Sequence, residues 1–394
     1  MGARGGHLPA RVFRSNRLRM LHKRSLRVER HRFGLEGVMH EDVRAARPGH
    51  LPGLDGLRGV AAMAVVIFHM SLGPAANGFA GVDVFFVLSG FLITSLLVRE
   101  HAATGSVALG RFYLRRLLRL YPALVLTCAG VLLLGTLTGE SGEVAGASLA
   151  ALAYVANWWI YLGHAAPLLE HTWTLSIEEH FYLLWPITLV LVWSRRGLFR
   201  VLGIGIAIAA VVAVMVSWPS SIAAVRASYV RGVPIIWGSL MAVAMRRWDF
   251  GRVGRPLRWL QIVASLLLLG LLVVPWEFGW VTGAFGVAGL LTVVIVLGIA
   301  VSPGGAGEVW ANRVLVWLGR RSYGLYLYHF PILSMFAHQL RVGPDWLRSC
   351  AGLAVTLAVV AFSYRFVELP FLRLKDRRFA SAFRGDAQRP SASR

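Results

Sequence analysis

Ten stretches of this chain stay apolar for long enough to cross the ~30 Å hydrocarbon core of a bilayer, and nothing else in it constrains folding as strongly. They run at about 57–75, 80–98, 121–138, 177–194, 199–217, 232–245, 258–275, 281–301, 322–340 and 346–369. Lipid offers a backbone no hydrogen-bond partners, so a spanning segment must close its own bonds as a helix or join a sealed barrel. Continuous apolar runs of this length belong to helices. The sequence therefore predicts an all-α fold, a polytopic integral membrane helix bundle with about ten transmembrane helices. A mean hydropathy of +0.61, with 56% hydrophobic and 15% charged residues, excludes an ordinary soluble domain.

An eleventh apolar segment, 147–163, decides the topology. If it crossed, Arg195, Arg196 and Arg200 would fall outside, together with Arg246, Arg247, Arg252, Arg255 and Arg258, against the positive-inside rule. Its Asn157-Trp158-Trp159-Ile160-Tyr161 end suits an interfacial or re-entrant segment instead. The basic clusters at 99–119, 195–200, 246–258, 313–321 and 373–378 then all become cytoplasmic, as do both termini. Arg226 and Arg231 are the exception, left facing outward or at the interface. Lys and Arg number 41 against 19 Asp and Glu, a net charge of +22, which this topology assigns to anionic headgroups rather than to nucleic acid. The expected location is the plasma membrane (cell inner membrane), with the lipid bilayer as first partner.

Residues 1–50 carry a dozen Lys and Arg and no apolar period, the composition of a basic disordered cytoplasmic tail. The membrane domain is expected over 51–370. A second basic tail, 371–394, is too short for a core of its own. The first apolar run, from Leu57, reads as an uncleaved anchor. Cys128 and Cys350 both lie in apolar runs and point to neither a disulfide framework nor a thiolate metal site. A start at Met39 would remove most of the first tail and keep every motif; an N-terminal peptide upstream of Met39, found by mass spectrometry, excludes it.

Polar residues inside a membrane are costly and mark function by default. In Leu54-Asp55-Gly56-Leu57-Arg58-Gly59 and the helix that follows, Arg58 and His69 are eleven residues apart, so they share a face about 16 Å apart along the axis. Arg58 sits at the cytoplasmic mouth and His69 deep in the membrane, where desolvation favours a neutral imidazole able to take a proton from a hydroxyl. A histidine bonding a neighbouring helix fits the same spacing. In Gly81 to Leu92, Asp83 lies at the level of His69 and can orient an acceptor, while Ser89 and Gly90 are read first as a small pair for close helix packing.

Arg111, Arg115 and Arg119 follow one helical face, with Arg116 beside them, and guanidinium forks suit phosphates. The common role of such a cluster is to hug anionic lipid. In His171-Thr172-Trp173-Thr174-Leu175-Ser176-Ile177-Glu178-Glu179-His180, adjacent acids point about 100° apart, so only one faces a shared cavity, and Glu178 is expected inward. No metal is expected, because the spacing is not that of a zincin. Tyr326 and His329, three apart in Ser322 to Pro331, share a face that can line a polar cavity.

Together these segments resemble the acyltransferase-3 family of integral membrane O-acyltransferases, the group that acylates O-antigen, peptidoglycan and macrolides. The resemblance runs from about Leu54 to Pro370. It rests on the Arg58-x10-His69 spacing, Phe85 to Leu92, Arg115-Arg116-x-x-Arg119, Trp173 to Tyr182 and Tyr323 to His329, all in the family's order. His180 departs from it, standing where Gln is common, and the hydrolase-like domain that some relatives append is not seen.

The resemblance implies ten spans, an acyl-CoA donor reached from the cytoplasm, His69 as base and the Arg segment near the donor. On this reading Arg115, Arg116 and Arg119 hold coenzyme A, with Arg58 and the acids Glu178 and Asp83 completing the catalytic set. Trp173, Ser176, Tyr326 and His329 are expected to bind substrate. An extended pantetheine arm, on the order of 15 to 20 Å, matches the ~16 Å from Arg58 to His69. The acceptor is expected to be a saccharide, a lipid-linked sugar or a glycosylated metabolite, and a covalent acyl-enzyme stays open. The rival is a proton-coupled transporter, which the lack of an inverted repeat disfavours.

Overall fold

The structure is a computed structural model that describes residues 2, 50–70, 77–139, 141–193, 197, 205, 231–250, 254–274, 283–301, 305–338 and 343–374. The span expected at 199–217 lies outside these residues apart from Gly205, as do Arg195, Arg196, Arg200, Arg226 and most of both basic tails. All regular structure among the described residues is helical.

In chain order the helices are α1 (Pro52–His69), α2 (Gly81–Thr104), α3 (Leu109–Thr138), α4 (Ser141–Leu152), α5 (Ala156–Tyr161), α6 (Trp173–Leu191), α7 (Val233–Arg247), α8 (Gly254–Val273), α9 (Gly283–Val301), α10 (Arg313–Arg320), α11 (Ser322–His338) and α12 (Asp345–Ser363). Local chemistry explains several boundaries. Proline opens α1 at its first turn, where its missing N–H costs nothing. Gly105 and Gly139, at φ 73° and 79°, end α2 and α3 in the left-handed conformation that glycine adopts freely.

Among the described residues, four helices are both long and apolar enough to cross a membrane: Gly78–Thr104, Leu109–Thr138, Gly254–Val273 and Asp345–Leu374. Leu133 and Leu137 on α3, Leu183, Leu184 and Leu191 on α6, and Leu266 and Leu267 on α8 are all exposed. Rows of exposed leucine along helices fit lipid, not water. At 30 residues, α3 extends about 45 Å, longer than the hydrocarbon core, so its Arg-bearing first third can stand at the membrane edge.

The eleventh apolar segment is broken. Tyr154, at φ 54°, interrupts it between α4 and α5, and the 12 residues of α4 cover only about 18 Å. Trp158, Tyr161 and Leu162 at its far end are exposed, as in an aromatic interfacial belt.

The bundle is organised around α2, whose apolar stretch is 72% buried against 28% for α3 and α8 and 22% for α12. It packs on α7 through facing glycines: a Cβ on Gly90 would overlap the carbonyl oxygen of Ile235, and one on Gly238 would overlap that of Val87. Helix α1 lies on its other side, with Ala61, Leu57 and Val84 in one buried cluster. The small Ser89-Gly90 pair thus lets α2 approach α7 backbone to backbone.

Replacing Gly90 with Leu is expected to cost at least the ~1–3 kcal/mol of a strained core insertion. It should lower the thermal midpoint of the detergent-extracted protein, whereas Gly270→Leu on α8, where an added Cβ has no atom within 4 Å, should leave it unchanged. Equal midpoints for the two variants would contradict this packing.

Candidate active site

Helices α1, α2, α3, α6 and α11 enclose a cavity of about 250 Å³ lined by Arg58, Arg116, Arg119, Ser89, Glu178 and Tyr326, among others. Three guanidiniums against one carboxylate leave this inner cavity with an excess of positive charge, the electrostatics that guanidinium forks offer to phosphates and carboxylates. Its polar wall is a connected network. Ser89 Oγ donates to Glu178 Oε1 at 2.7 Å, and Tyr182 OH donates to Ser89 Oγ at 2.8 Å. The Arg116 guanidinium lies 4.4 Å over the Tyr182 ring, and Arg58 Nε donates to Ser322 Oγ at 3.3 Å.

Of the two adjacent acids, Glu178 lines the cavity and Glu179 does not. Of the arginines, Arg116 and Arg119 line it, while Arg111 and Arg115 are not among its lining residues. Arg115 is one position before Arg116 and therefore about 100° around the helix.

Beyond Tyr326 stands a cluster of three histidines. Because α1 runs unbroken from Pro52, His69 lies three turns past Arg58 on the same face. His69 Nδ1 is 2.9 Å from Val65 O and 3.2 Å from His329 Nε2. His329 Nδ1 is 2.7 Å from Tyr326 O and 3.1 Å from Leu325 O. Carbonyl oxygens only accept, so in neutral rings both Nδ1 atoms carry the proton. His69 Nδ1–H then points to the bare Nε2 of His329, and His69 Nε2 keeps its lone pair. That is the tautomer a general base requires.

The third ring, His171, is held by a break in a helix. Pro331 lies inside α11 and has no N–H to give to the carbonyl four residues back. That carbonyl, Leu327 O, accepts from His171 Nε2 at 3.2 Å, so His171 Nδ1 holds a lone pair, buried and without a partner. Tyr326 OH donates to His171 O at 2.8 Å and shares a 2.6 Å bond with Thr174 Oγ1. All three histidines use ring nitrogens on backbone or on each other, and among the described residues no group of three His, Cys, Asp or Glu is set to hold a metal ion.

Other residues singled out by sequence lie apart from both features. Asp83 is fully buried in an ion pair with Arg231 at 3.2 Å, and the Arg231 guanidinium also lies 5.6 Å over the ring of Trp173. The described structure buries Arg231 within the protein, where Asp83 satisfies its charge. Ser176 Oγ accepts from Ala156 N at 3.0 Å and ties α6 to α5. Sequence reasoning assigned Tyr182 and Arg231 no site role, Tyr182 standing only at the end of a motif and Arg231 only as a topological exception; Tyr182 follows Glu178 by one helical turn, while the partner of Arg231 carries no local signal.

An acyltransferase domain model matches residues 51–365. The chain belongs to the acyltransferase-3 family. Among curated relatives it is 31% identical over 351 residues to a "Putative O-acetyltransferase" of Staphylococcus aureus (strain COL), covering 82% of this chain and 57% of that protein. It is 28% identical over 364 residues to the "Peptidoglycan O-acetyltransferase OatA" of Listeria monocytogenes, covering 85% and 57%. It is 30% identical over 348 residues to the "Putative peptidoglycan O-acetyltransferase YrhL" of Bacillus subtilis (strain 168), covering 82% and 55%. The chain thus spans little more than half the length of these relatives. No solved structure matches it.

Removing one member of a buried ion pair strands the other charge, at about 3–5 kcal/mol. Arg231→Met should therefore destabilise the protein severely, and the double variant Asp83→Leu/Arg231→Met should recover most of the loss in thermal midpoint. A double variant no more stable than the single one would show that the pair is not what holds these helices.

Proposed function

We propose that this protein transfers a short acyl group, acetyl in the simplest case, from a coenzyme A thioester to a hydroxyl of a carbohydrate acceptor. The observation that carries the reading is the pair of bonds from Tyr326 O through His329 to His69, which leaves His69 Nε2 free to take a proton. The Arg-lined cavity beside it supports a phosphate-bearing donor. Coenzyme A phosphates bind Arg116, Arg119 and Arg58, with Arg115 nearer the cytoplasm, and the pantetheine arm runs along α1. The ten-crossing topology with cytoplasmic termini, in the plasma membrane, puts that mouth where acyl-CoA is made.

In the reaction His69 Nε2 removes the proton of the acceptor hydroxyl as its oxygen bonds to the thioester carbonyl carbon. The tetrahedral intermediate collapses with cleavage of the C–S bond, and coenzyme A leaves as a thiolate that regains the proton from His69. As positive charge grows on His69, its Nδ1–H becomes a stronger donor to Val65 O and His329 Nε2. His329 is thus a positioning residue for the base. Glu178 holds the Arg face through Ser89 and Tyr182. Trp173 and Ser176 shape the α5–α6 corner, and Asp83 fixes α2 beside it. The relatives' names favour a peptidoglycan-type glycan over a lipid-linked sugar or a glycosylated metabolite.

His69→Ala should lower coenzyme A release in proteoliposomes given acetyl-CoA and glycan by about 10²- to 10⁴-fold, with the thermal midpoint nearly unchanged. Arg116→Ala should raise KM for acetyl-CoA while sparing kcat. Wild-type turnover in His69→Ala would rule out this mechanism.

A further inference from the structure

A second cavity lies on the far side of the histidine cluster. It occupies about 540 Å³, shares no lining residue with the inner one, and is bordered by His164, Glu170, Phe330, Ser334 and His338 among others. That volume is within the ~300–1,000 Å³ usual for ligand sites. The two cavities meet the same helix one turn apart. Tyr326 of α11 lines the inner cavity and Phe330 the outer, and His329 stands between them in sequence. The Phe330 ring packs 5.1 Å from His69 and 5.0 Å from His171, so one aromatic side chain separates the outer cavity from the base.

Their chemistry differs. The inner cavity has three arginines, whereas the described residues lining the outer one include no Lys or Arg, but a carboxylate, two imidazoles and the hydroxyls of Thr138 and Ser334. Such a wall repels the phosphates of coenzyme A and suits a neutral, hydroxyl-rich ligand that needs donors and acceptors in turn. Glu170 is half-buried and immediately precedes His171 of the histidine cluster. His164 is exposed and stacks on Trp159 with ring centroids 4.2 Å apart, presenting a flat aromatic edge of the kind sugar rings pack against. His338 closes the opposite rim, eight residues or about 12 Å beyond Phe330.

We propose that this outer cavity is the acceptor site, binding a neutral oligosaccharide through Glu170, His164 and His338 with one sugar hydroxyl directed past Phe330 to His69. The inference rests on the acyl-transfer reading for its chemistry, but binding tests it without turnover. Equilibrium dialysis of the detergent-purified full chain against radiolabelled N-acetylchitotetraose should give saturable binding that Glu170→Gln and His338→Ala each weaken at least about tenfold. Arg116→Ala should bind the oligosaccharide like wild type. In parallel, acetyl-CoA binding should be retained in the two outer variants and weakened in Arg116→Ala.

No binding to the wild-type protein, or equal binding to wild type and the outer variants, overturns the proposal. So does loss of oligosaccharide binding in Arg116→Ala alone, which moves the acceptor to the inner cavity. Intact outer-cavity binding without coenzyme A release from any acyl-CoA leaves the site standing and removes the acyl-transfer reading instead.

Discussion

Everything in this bundle answers to one constraint: a polar group among apolar helices must find a partner inside the protein. The constraint is clearest at Pro331. By withholding an N–H, it leaves Leu327 O unbonded in the helix, and His171 is drawn to that carbonyl. The preceding turn supplies Tyr326 O and Leu325 O to His329, and His329 in turn meets His69. One helix with a missing donor thus organises three imidazoles contributed by three separate parts of the chain.

The same constraint accounts for the buried charges. Asp83 and Arg231 are tolerable only as a pair, and their pairing joins α2 to the segment that begins α7. Glu178 is held by Ser89, whose neighbour Gly90 is also the point of closest approach to α7. Packing and polar satisfaction therefore converge on one turn of α2. This explains why a serine and a glycine stand side by side in the middle of an otherwise apolar helix.

The helical class, the long apolar spans and the placement of residues along a single helix were legible in the sequence, because helical geometry alone relates Arg58 to His69 or Tyr326 to His329. The number of crossings was less so, since only four described helices combine the length and apolarity of a span. Contacts between distant segments were illegible. Arg231 lies 148 positions from Asp83, so the sequence showed it only as a charge on the wrong side. On α3 the sequence offered Arg115, Arg116 and Arg119 together, and only the neighbouring helices decide that Arg116 and Arg119 line the inner cavity. Pro331 entered the sequence reading only as the end of a motif, because the acceptor it frees for His171 depends on a contact between distant segments.

The partition between the two cavities has an electrical consequence. Tyr326 and Phe330 stand one turn apart on α11 between a cationic chamber and one without Lys or Arg among its described lining, and no residue lines both. On the proposed reading, an acyl group handed from one chamber to the other is uncharged, and the phosphates that carried it stay where they entered. The membrane voltage does no work on an uncharged group, so such a transfer is independent of it.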